Sequence, residues 1–320
     1  MEARILNRTG LEVSRVCLGT MTFGGQTDRQ SAGRMLDCAM ERGVNFLDTA
    51  NVYNGGETER LLGELLGARR RSLVVASKVG MKVGAEKAGL TRSAILSAVE
   101  NSLARLKTDY LDILYFHLPD RETPVEESLE AVAALVQHGK VRHLGTSNYA
   151  SWQLCQMLNT SERKAYPRPD ISQPMYNLVA RRIEDEYLPM CKAMGVSTVA
   201  YNPLAGGLLT GKQSAVAPLP GTRFDGNKAY LDRYWNDATF AAVSRISELA
   251  SSCNRSPAGF ALSWLLHHSP IDYIILGASR MEHLLENLDA CREGPLPEEV
   301  LSGCDEVWNM LRGAAPKYNR

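Results

Sequence analysis

Four side chains that can donate or accept protons stand at or just after the ends of three strand-like runs. Asp48 lies at the end of NFLDT, Tyr53 in the loop after it, Lys78 at the end of LVVASK and His117 at the end of YLDILYFH. Carboxylate, phenol, ammonium and imidazole groups are the ones that enzymes use for acid–base catalysis. Taken singly, each has an ordinary explanation: a turn cap, a surface or core tyrosine, an exposed strand end and a core histidine. Their joint placement makes them candidates for catalysis.

The stretch YNPLAGGLLTGKQ, residues 201–213, has the spacing of a phosphate-binding loop. Gly206, Gly211 and Lys212 give G-x-x-x-x-G-K, but Gln213 stands where a Ser or Thr would hold Mg²⁺. A P-loop also follows an early strand and opens a helix, which this stretch does not. Because glycine lets a backbone approach a phosphate closely, the loop could hold a phosphate without a metal. The alternative is a plain glycine-rich turn.

Composition limits the classes of function. The chain has 320 residues, 44% of them apolar, and its 36 basic and 36 acidic residues give no net charge. No basic stripe indicates nucleic acid as a partner. Seven cysteines without a C-x-x-C pair are typical of reduced thiols in an intracellular protein, not of a zinc site. No apolar run is long enough for a membrane span, and the charged first twenty residues do not fit a secretory signal. We therefore expect a cytoplasmic protein with no metal, nucleic-acid or membrane partner.

The secondary-structure elements that must position these residues alternate regularly between strand-like and helical runs. Eight strand-like runs begin near Val16, Asn45, Leu73, Leu111, His143, Ile171, Ser197 and Tyr273. Helical patterns follow at 30–42, 57–66, 91–106, 125–138, 151–158, 183–194, 237–254 and 281–291. Most strand starts are about thirty residues apart, the size of one βα unit. The repeat predicts an α/β protein with one domain over residues 1–320, built as a (β/α)₈ TIM barrel.

Several additions to the barrel are expected. RILNRTGLEVSRV, residues 4–16, predicts an N-terminal β-hairpin at the bottom of the barrel, with Arg8-Thr9-Gly10 in its turn. A long loop over 203–235 follows strand seven, two helices occupy the second half of the gap before strand eight, and a C-terminal helix over 297–312 precedes a tail. Active sites of such barrels lie at the C-terminal ends of the strands. The four candidate residues would therefore face one mouth.

Blocks of the sequence resemble the signatures of the aldo-keto reductases, in the family's order from Leu18 onward. They are FLDTANVYNGGETERLLG, VVASKVG, LDILYFHLPD and GTSNY. The stretches FHLPDRETPVEESLEAV and AYNPLAGGLLTGK, a later RYW and the terminal KYNR are similar to one branch, the aflatoxin-aldehyde and succinic-semialdehyde reductases. The resemblance implies an NADPH-dependent reductase that converts aldehydes, and some ketones, to alcohols.

The resemblance implies a role for each of the four strand-end residues. Tyr53 would be the general acid that protonates the carbonyl oxygen. A free tyrosine, with a pKa of about 10, is a weak acid near neutrality, and Lys78 as a neighbouring cation would favour its phenolate. Asp48 would pair with Lys78, and His117 would donate to the carbonyl and orient it.

The resemblance also implies the residues that bind the dinucleotide. Ser147, Asn148 and Gln173 would bind the nicotinamide carboxamide, Tyr201 would stack on the ring, and the glycine loop would hold the pyrophosphate. The full set is Thr20, Met21, Gln26, Ser147, Asn148, Gln173, Tyr201, Asn202, Pro203, Leu204, Ala205, Gly206, Gly207, Leu208, Lys212, Arg223, Gly277, Ser279, Arg280, His283, Glu286 and Asn287. A helix start near Ser279 and three cations, Lys212, Arg223 and Arg280, favour NADPH over NADH. His283 stands where the family usually has Gln, which leaves the adenine contact open.

Substrate contacts of the same branch match Tyr230, Arg233 and Arg320. Two guanidinium groups would favour an aldehyde that carries a carboxylate. Homodimers are common in this branch. The chain has no G-x-G and no Tyr followed four residues later by Lys, so the Rossmann and short-chain dehydrogenase patterns are absent. Potassium-channel β-subunits share the fold, and a nucleotide-sensing subunit with weak or no catalysis stays the alternative.

Overall fold

The computed structural model describes residues 1–84 and 88–314, and eight of its strands form a closed barrel. The strands are β3 (Val16–Gly19), β4 (Phe46–Asp48), β5 (Val74–Val79), β6 (Leu111–Phe116), β7 (Val141–Ser147), β8 (Pro169–Gln173), β9 (Ser197–Ala200) and β10 (Tyr273–Gly277). Each pair of neighbours from β3 to β9 is parallel, and β10 lies next to β3. The predicted eight-stranded α/β barrel is confirmed.

An antiparallel hairpin of β1 (Ala3–Ile5) and β2 (Glu12–Ser14) precedes the barrel, as predicted. Its turn needs left-handed backbone at Arg8 and Gly10, which have φ of 63° and 71°. The hairpin contacts residues that precede or begin barrel strands. Asn7 N–H donates to Ser197 Oγ at 2.8 Å, and the backbone of Ser14 donates to Asn45 Oδ1 at 2.7 Å. These contacts lie at the N-terminal ends of the strands, opposite to the predicted site.

Helices follow the strands along the chain. They are α1 (Arg29–Glu41), α2 (Glu57–Leu66), α3 (Arg92–Leu106), α4 (Val125–Gln137), α5 (Ser151–Lys164), α6 (Tyr187–Met194), α7 (Lys228–Tyr234), α8 (Asp237–Ser252), α9 (Pro257–His267), α10 (Met281–Ala290) and α11 (Leu301–Arg312). Four of these helices begin at a side-chain cap, which accepts a hydrogen bond from a backbone N–H of the first turn and fixes where the helix starts. The caps are Asp28 for α1, Thr91 for α3, Asn236 for α8 and Ser256 for α9. Within the described ranges, no helix combines the length and apolar character needed to cross a membrane.

Two helix boundaries differ from the sequence prediction. The helix expected over 183–194 begins only at Tyr187, after a 3₁₀ turn over Arg182–Glu184. Pro189 has no N–H and is tolerated in the first turn but not in a helix interior, so an earlier start is disfavoured. The helix expected to end at 158 runs on to Lys164, because Thr160 and Ser161 are buried on its inner face.

The segment expected as a loop over 203–235 contains the short helix α7. Asn227 caps this helix by accepting the backbone N–H of Tyr230, and Tyr234 anchors it in a buried position. The two helices predicted before strand eight are α8 and α9, and the predicted C-terminal helix is α11 after a 3₁₀ turn.

The chain divides into two compact units. The first contains Met1–Pro174, Met190–Val199 and Ile275–Leu284, and so holds β3 to β8 and the four strand-end candidates. The second contains Met175–Pro189, Ala200–Ile274 and Leu285–Arg320, of which residues up to 314 are described. It holds the glycine loop and α7. The expectation of one domain over 1–320 stays a prediction.

Candidate active site

Lys78 is the centre of a buried polar cluster in the first unit. Its Nζ donates to Asp48 Oδ2 at 2.6 Å, to the carbonyl oxygen of Thr49 at 2.9 Å and to Tyr53 Oη at 3.0 Å. An ammonium has three donors, so these contacts use all of them. Lys78 is fully buried and Asp48 nearly so. Such a charge is stable inside a protein only when it is paired in this way.

Strand register explains why these groups meet. β4 and β5 are neighbours in which Asp48 lies opposite Ala76, two residues before Lys78. Side chains two residues apart along a strand point to the same face, so Lys78 reaches Asp48 from the adjoining strand. The prediction that the ends of these strands place their polar residues together agrees with this geometry.

A tight turn holds Tyr53 beside Lys78. Asn54, Gly55 and Gly56 all adopt left-handed backbone, with φ of 49°, 65° and 95°. The Asn54 side chain donates to the carbonyl oxygens of Met21 and Phe23, both at 3.0 Å. The turn is thus tied to the loop after β3, which fixes the direction of the tyrosine. The Lys78 ammonium also lies 4.8 Å from the centroid of the Tyr53 ring.

His117 lies edge-on to Tyr53, with ring centroids 6.1 Å apart and planes at 82°. Its Nδ1 is buried and has no hydrogen-bond partner among the described residues. Burial, and then the nearby Lys78 charge, lower the pKa of His117 to about 3. The imidazole is therefore neutral near pH 7, with one nitrogen that donates and one that accepts.

Lys78 stays charged despite its burial. Burial by itself lowers the pKa of Lys78, but the Asp48 charge and, to a smaller degree, Tyr53 more than offset this and raise it above the usual value. The cluster therefore contains a permanent cation against a phenol.

The residues expected to hold a carboxamide already have protein partners. Ser147 Oγ donates to the carbonyl oxygen of Gln173 at 2.9 Å, and Asn148 Nδ2 donates to that of His117 at 2.9 Å. Gln173 Nε2 donates to Asp48 Oδ1 at 2.7 Å. The structure thus places all three at the strand ends near the cluster, and it joins Gln173 directly to Asp48.

The other cofactor candidates of the first unit follow β3 and β10. Thr20 Oγ1 donates to the carbonyl oxygen of Asp48 at 2.9 Å, whereas Met21 and Gln26 are exposed. Gly277 ends β10, and Ser279 accepts a hydrogen bond from Thr27 at its carbonyl oxygen. Arg280 and His283 lie before and in the first turn of α10, and the same helix carries Glu286 (exposed) and Asn287 (buried) into the second unit.

The glycine loop belongs to the second unit. Residues Ala205–Thr210 form a 3₁₀ turn in which Gly206 and Gly207 have φ of 71° and 98°. Gly206 N–H donates to Asn202 Oδ1 at 2.6 Å and Gly207 N–H to the carbonyl oxygen of Leu204 at 2.8 Å. These two N–H groups, expected to face a phosphate, are therefore engaged inside the loop. A Cβ added at Gly207 would meet no atom of the described residues within 4 Å, so these residues leave the backbone there open to a ligand.

The remaining loop candidates differ in their surroundings. Tyr201 is half-buried, Pro203, Ala205 and Leu208 are buried, and Lys212 is exposed. Tyr230 packs its ring against Gly206, where a Cβ would come within 2.8 Å of the ring. The guanidinium groups of Arg223 and Arg233 lie 5.5 Å and 5.4 Å from the Tyr230 ring centroid. The structure therefore brings Tyr230, Arg223 and Arg233 together beside the glycine loop, whereas Arg320 lies outside the described residues.

Sequence reasoning missed a buried carboxylate next to the cluster. Glu59, in the first turn of α2, is fully buried and accepts from Ser77 Oγ at 2.5 Å and from Arg105 Nε at 2.8 Å. Ser77 precedes Lys78 on β5, so this contact fixes α2 to the strand that carries the lysine. Glutamate is rarely fully buried unless it is paired, so the sequence contained no clear signal of this role.

Comparisons with known proteins agree with the geometry. The protein-family model described as "Aldo/keto reductase family" matches residues 15–309 of this chain. The chain is 37% identical to aflatoxin B1 aldehyde reductase member 2 of Mus musculus, over 95% of this chain and 87% of the mouse protein. It is 34% identical to aldo-keto reductase family 7 member A3 of Homo sapiens, over 95% and 96%. A probable voltage-gated potassium channel subunit beta of Oryza sativa subsp. japonica is 34% identical over 94% of each chain.

Proposed function

Because this chain belongs to the aldo/keto reductase family, we propose that it reduces aldehydes to alcohols with NADPH and that Tyr53 is the general acid. The observation that carries the proposal is the Lys78 ammonium, fully buried, 2.6 Å from Asp48 and 3.0 Å from the Tyr53 hydroxyl. A buried cation beside a phenol is an arrangement that makes tyrosine a useful acid near neutral pH. The aflatoxin aldehyde reductase relatives support the same chemistry.

Reduction of an aldehyde requires a hydride at carbon and a proton at oxygen. The reduced nicotinamide supplies the hydride when it is bound. Tyr53 transfers its hydroxyl proton to the carbonyl oxygen, and Lys78 stabilises the phenolate that remains, because a neighbouring cation favours the ionised form. Asp48 holds the ammonium in place through its 2.6 Å contact.

His117 acts as a neutral hydrogen-bond donor in this proposal. With its pKa lowered to about 3 by burial and by Lys78, it cannot supply a proton as an imidazolium near pH 7. A neutral N–H can still donate to the carbonyl oxygen and stabilise the negative charge that develops there. Its edge-on position beside Tyr53 supports a role in orienting the same oxygen.

A nicotinamide dinucleotide fits the donor set of each unit. In the first unit, Ser147, Asn148 and Gln173 offer hydroxyl and amide groups of the kind that bind a carboxamide. In the second, the left-handed glycines and the open space at Gly207 suit close approach by a phosphate. Arg280 in the first unit and Lys212 in the second are each exposed and form no ion pair within the described part of the chain. Either cation would suit a 2′-phosphate, which supports NADPH.

We also propose that the protein prefers aldehydes that carry a carboxylate. Arg233 is exposed on α7, its guanidinium lies near the Tyr230 ring, and both residues match substrate contacts of the branch that the chain resembles. Arg320, the third such residue, is proposed from the sequence alone. Guanidinium groups bind carboxylates in a bidentate manner, which favours anionic aldehydes.

The test is turnover by wild type and Tyr53→Phe. Succinic semialdehyde and butanal form one matched pair of substrates, and 2-carboxybenzaldehyde and benzaldehyde form another, each assayed with NADPH and NADH. We expect Tyr53→Phe to lower kcat by about 10²–10⁴-fold, the usual contribution of general acid catalysis, with NADPH affinity nearly unchanged. Tyr110→Phe, a change just before β6 at the opposite end of the barrel, is the control. Near-normal kcat in Tyr53→Phe would show that another group supplies the proton.

The similarity to a potassium-channel β-subunit carries the second candidate function, a nucleotide-sensing subunit. NADPH binding without turnover of any aldehyde in the panel would favour it over the enzyme.

We also propose a cytoplasmic location and a homodimer. The seven cysteines all lie in the described part of the chain and none of them forms a disulfide there, which supports a reducing compartment. The dimer rests on the resemblance to its branch, and its test is the molar mass in solution.

A further inference from the structure

Gln173 makes a contact that carboxamide binding does not require. It ends β8, is almost fully buried, and donates from Nε2 to Asp48 Oδ1 at 2.7 Å, while Lys78 binds the other oxygen of the same carboxylate. Register places Gln173 opposite Ser147 on β7, and Ser147 Oγ donates to its backbone carbonyl. The amide is thus fixed at a strand end on the far side of Asp48 from the lysine.

We propose that Gln173 is a positioning residue that, through Asp48, controls how strongly Lys78 favours the phenolate of Tyr53. The inference rests on the proposed function, in which Tyr53 is the general acid. A carboxylate held only by Lys78 could rotate about its last bond, whereas a donor on each oxygen fixes its plane. The amide N–H also disperses part of the Asp48 charge, so that less of the Lys78 field is cancelled before it reaches Tyr53.

The groups around Asp48 leave this control to Gln173. Burial, then the Asp48 charge, raise the pKa of the Cys17 thiol on β3 and of the Tyr115 phenol on β6, so both are neutral near pH 7. His117 is neutral as well. Among the described residues the Tyr115 hydroxyl has no hydrogen-bond partner, although the Gln173 amide acts to lower its pKa. Within the described residues, the side chains that donate hydrogen bonds to the Asp48 carboxylate are those of Lys78 and Gln173.

The positioning role is compatible with a cofactor contact. The bond to Asp48 uses one hydrogen of Nε2, and a primary amide has a second hydrogen and a carbonyl oxygen besides. The same side chain can hold Asp48 and bind a carboxamide. The two roles differ in the protein without cofactor, because only the positioning role predicts that Gln173 affects the ionisation of Tyr53 there.

The experiment is a spectroscopic titration of the cofactor-free protein. The ultraviolet difference between each background and its Tyr53→Phe derivative isolates the ionisation of Tyr53. We expect Gln173→Met to move this transition to higher pH by about one unit or less, because a charge-assisted contact is lost and only part of its effect reaches Tyr53. The basic limb of kcat for reduction should move in the same direction, and kcat at pH 7 should fall by about three- to ten-fold. Affinity for NADPH is measured in parallel.

Gln173→Glu is the conservative variant. At low pH its carboxylic acid donates to Asp48 as the amide does, and at higher pH two carboxylates face each other. We therefore expect the kcat of Gln173→Glu to fall further below that of wild type as pH rises and the new carboxylic acid ionises, which keeps the test valid if Gln173→Met folds poorly. Unchanged Tyr53 titration and an unshifted pH profile in both variants, with weaker NADPH binding alone, would overturn the positioning role. Full activity of Tyr53→Phe would instead overturn the proposed function.

Discussion

Replacing Lys78 by Met removes the ammonium from the cluster and keeps an unbranched side chain of similar length. The ammonium contacts Asp48, the Thr49 carbonyl and Tyr53 at 2.6, 2.9 and 3.0 Å. Without it, the phenolate of Tyr53 loses the cation that lies 3.0 Å from its oxygen. Tyr53 should then be a weaker acid, so we expect both a lower rate of reduction and a changed pH dependence.

The size of the change follows from the distance. Over 3.0 Å, Coulomb's law gives about 1.4 kcal/mol in water and about 5.5 kcal/mol at an effective dielectric constant of about 20. At about 1.4 kcal/mol per pH unit, these limits correspond to roughly one and four units. Asp48 opposes part of the attraction because its Oδ2 lies 2.6 Å from the same nitrogen. We therefore expect the basic limb of kcat to move to higher pH by about one to three units.

The assay is kcat for butanal reduction between pH 5 and pH 10 at saturating NADPH. Lys140→Met, which changes a partly exposed lysine paired with Glu100, is the matched control. Removing one partner of a buried ion pair costs about 3–5 kcal/mol, so the double variant Lys78→Met/Asp48→Asn is measured as well, since it leaves no unpaired carboxylate. An active variant whose pH profile superimposes on that of wild type would refute the proposed pairing of Lys78 with Tyr53.

Three further predictions concern the cofactor, the buried carboxylate and the histidine. Arg223→Ala should weaken the binding of NADPH by about ten- to a hundred-fold more than that of NADH, since a charge-assisted contact is worth about 1.5–3 kcal/mol. Both affinities are measured in titrations monitored by fluorescence, and equal losses would show that Arg223 does not bind the 2′-phosphate. Glu59→Ala should lower the free energy of unfolding in urea by about 3–5 kcal/mol because it removes the fully buried carboxylate that Arg105 and Ser77 bind, whereas Glu57→Ala, on an exposed pair, should cost less than about 1 kcal/mol. The pKa of His117 is about 3 when folded, below its unfolded value, so the unfolded chain binds the proton first and stability falls as pH drops below about 6.5. Between pH 7 and pH 5, wild type should lose about 2 kcal/mol more than His117→Gln, and equal losses would contradict the burial of the neutral ring.

The parts of the fold and site that could be predicted follow from periodicity. The strand-like runs NFLDT and LVVASK located β4 and β5 and placed Asp48 and Lys78 at or next to the ends of these strands. Once eight βα units imply a barrel, the ends of neighbouring strands must share one rim. The meeting of these residues with Tyr53 then needs only the tight turn that Asn54 and two glycines encode.

Contacts that depend on side-chain competition could not be predicted. The Gln173 amide crosses from β8 to Asp48 on β4, 125 residues away, and no local pattern specifies that bond. In the glycine loop, Asn202 accepts the Gly206 N–H that was expected to face a phosphate. Asparagine side chains often bind backbone a few residues on, and such local bonds compete with a ligand. In both cases the residue type is visible in the sequence, but the choice of partner is not.

The net charge of the cluster shows that its residues can carry the proposed proton transfer but not the proposed preference for anionic aldehydes. Asp48 and Lys78 cancel each other at 2.6 Å, and His117 is neutral because its pKa is about 3. Together with the phenol of Tyr53, these groups carry no net charge near pH 7. A distant carboxylate on an aldehyde therefore gains little from them, and proton transfer to its carbonyl needs no such group. Any preference for anionic aldehydes must come from cations outside the cluster, such as Arg233, and should then appear in KM while the pH dependence of proton transfer stays that of Tyr53.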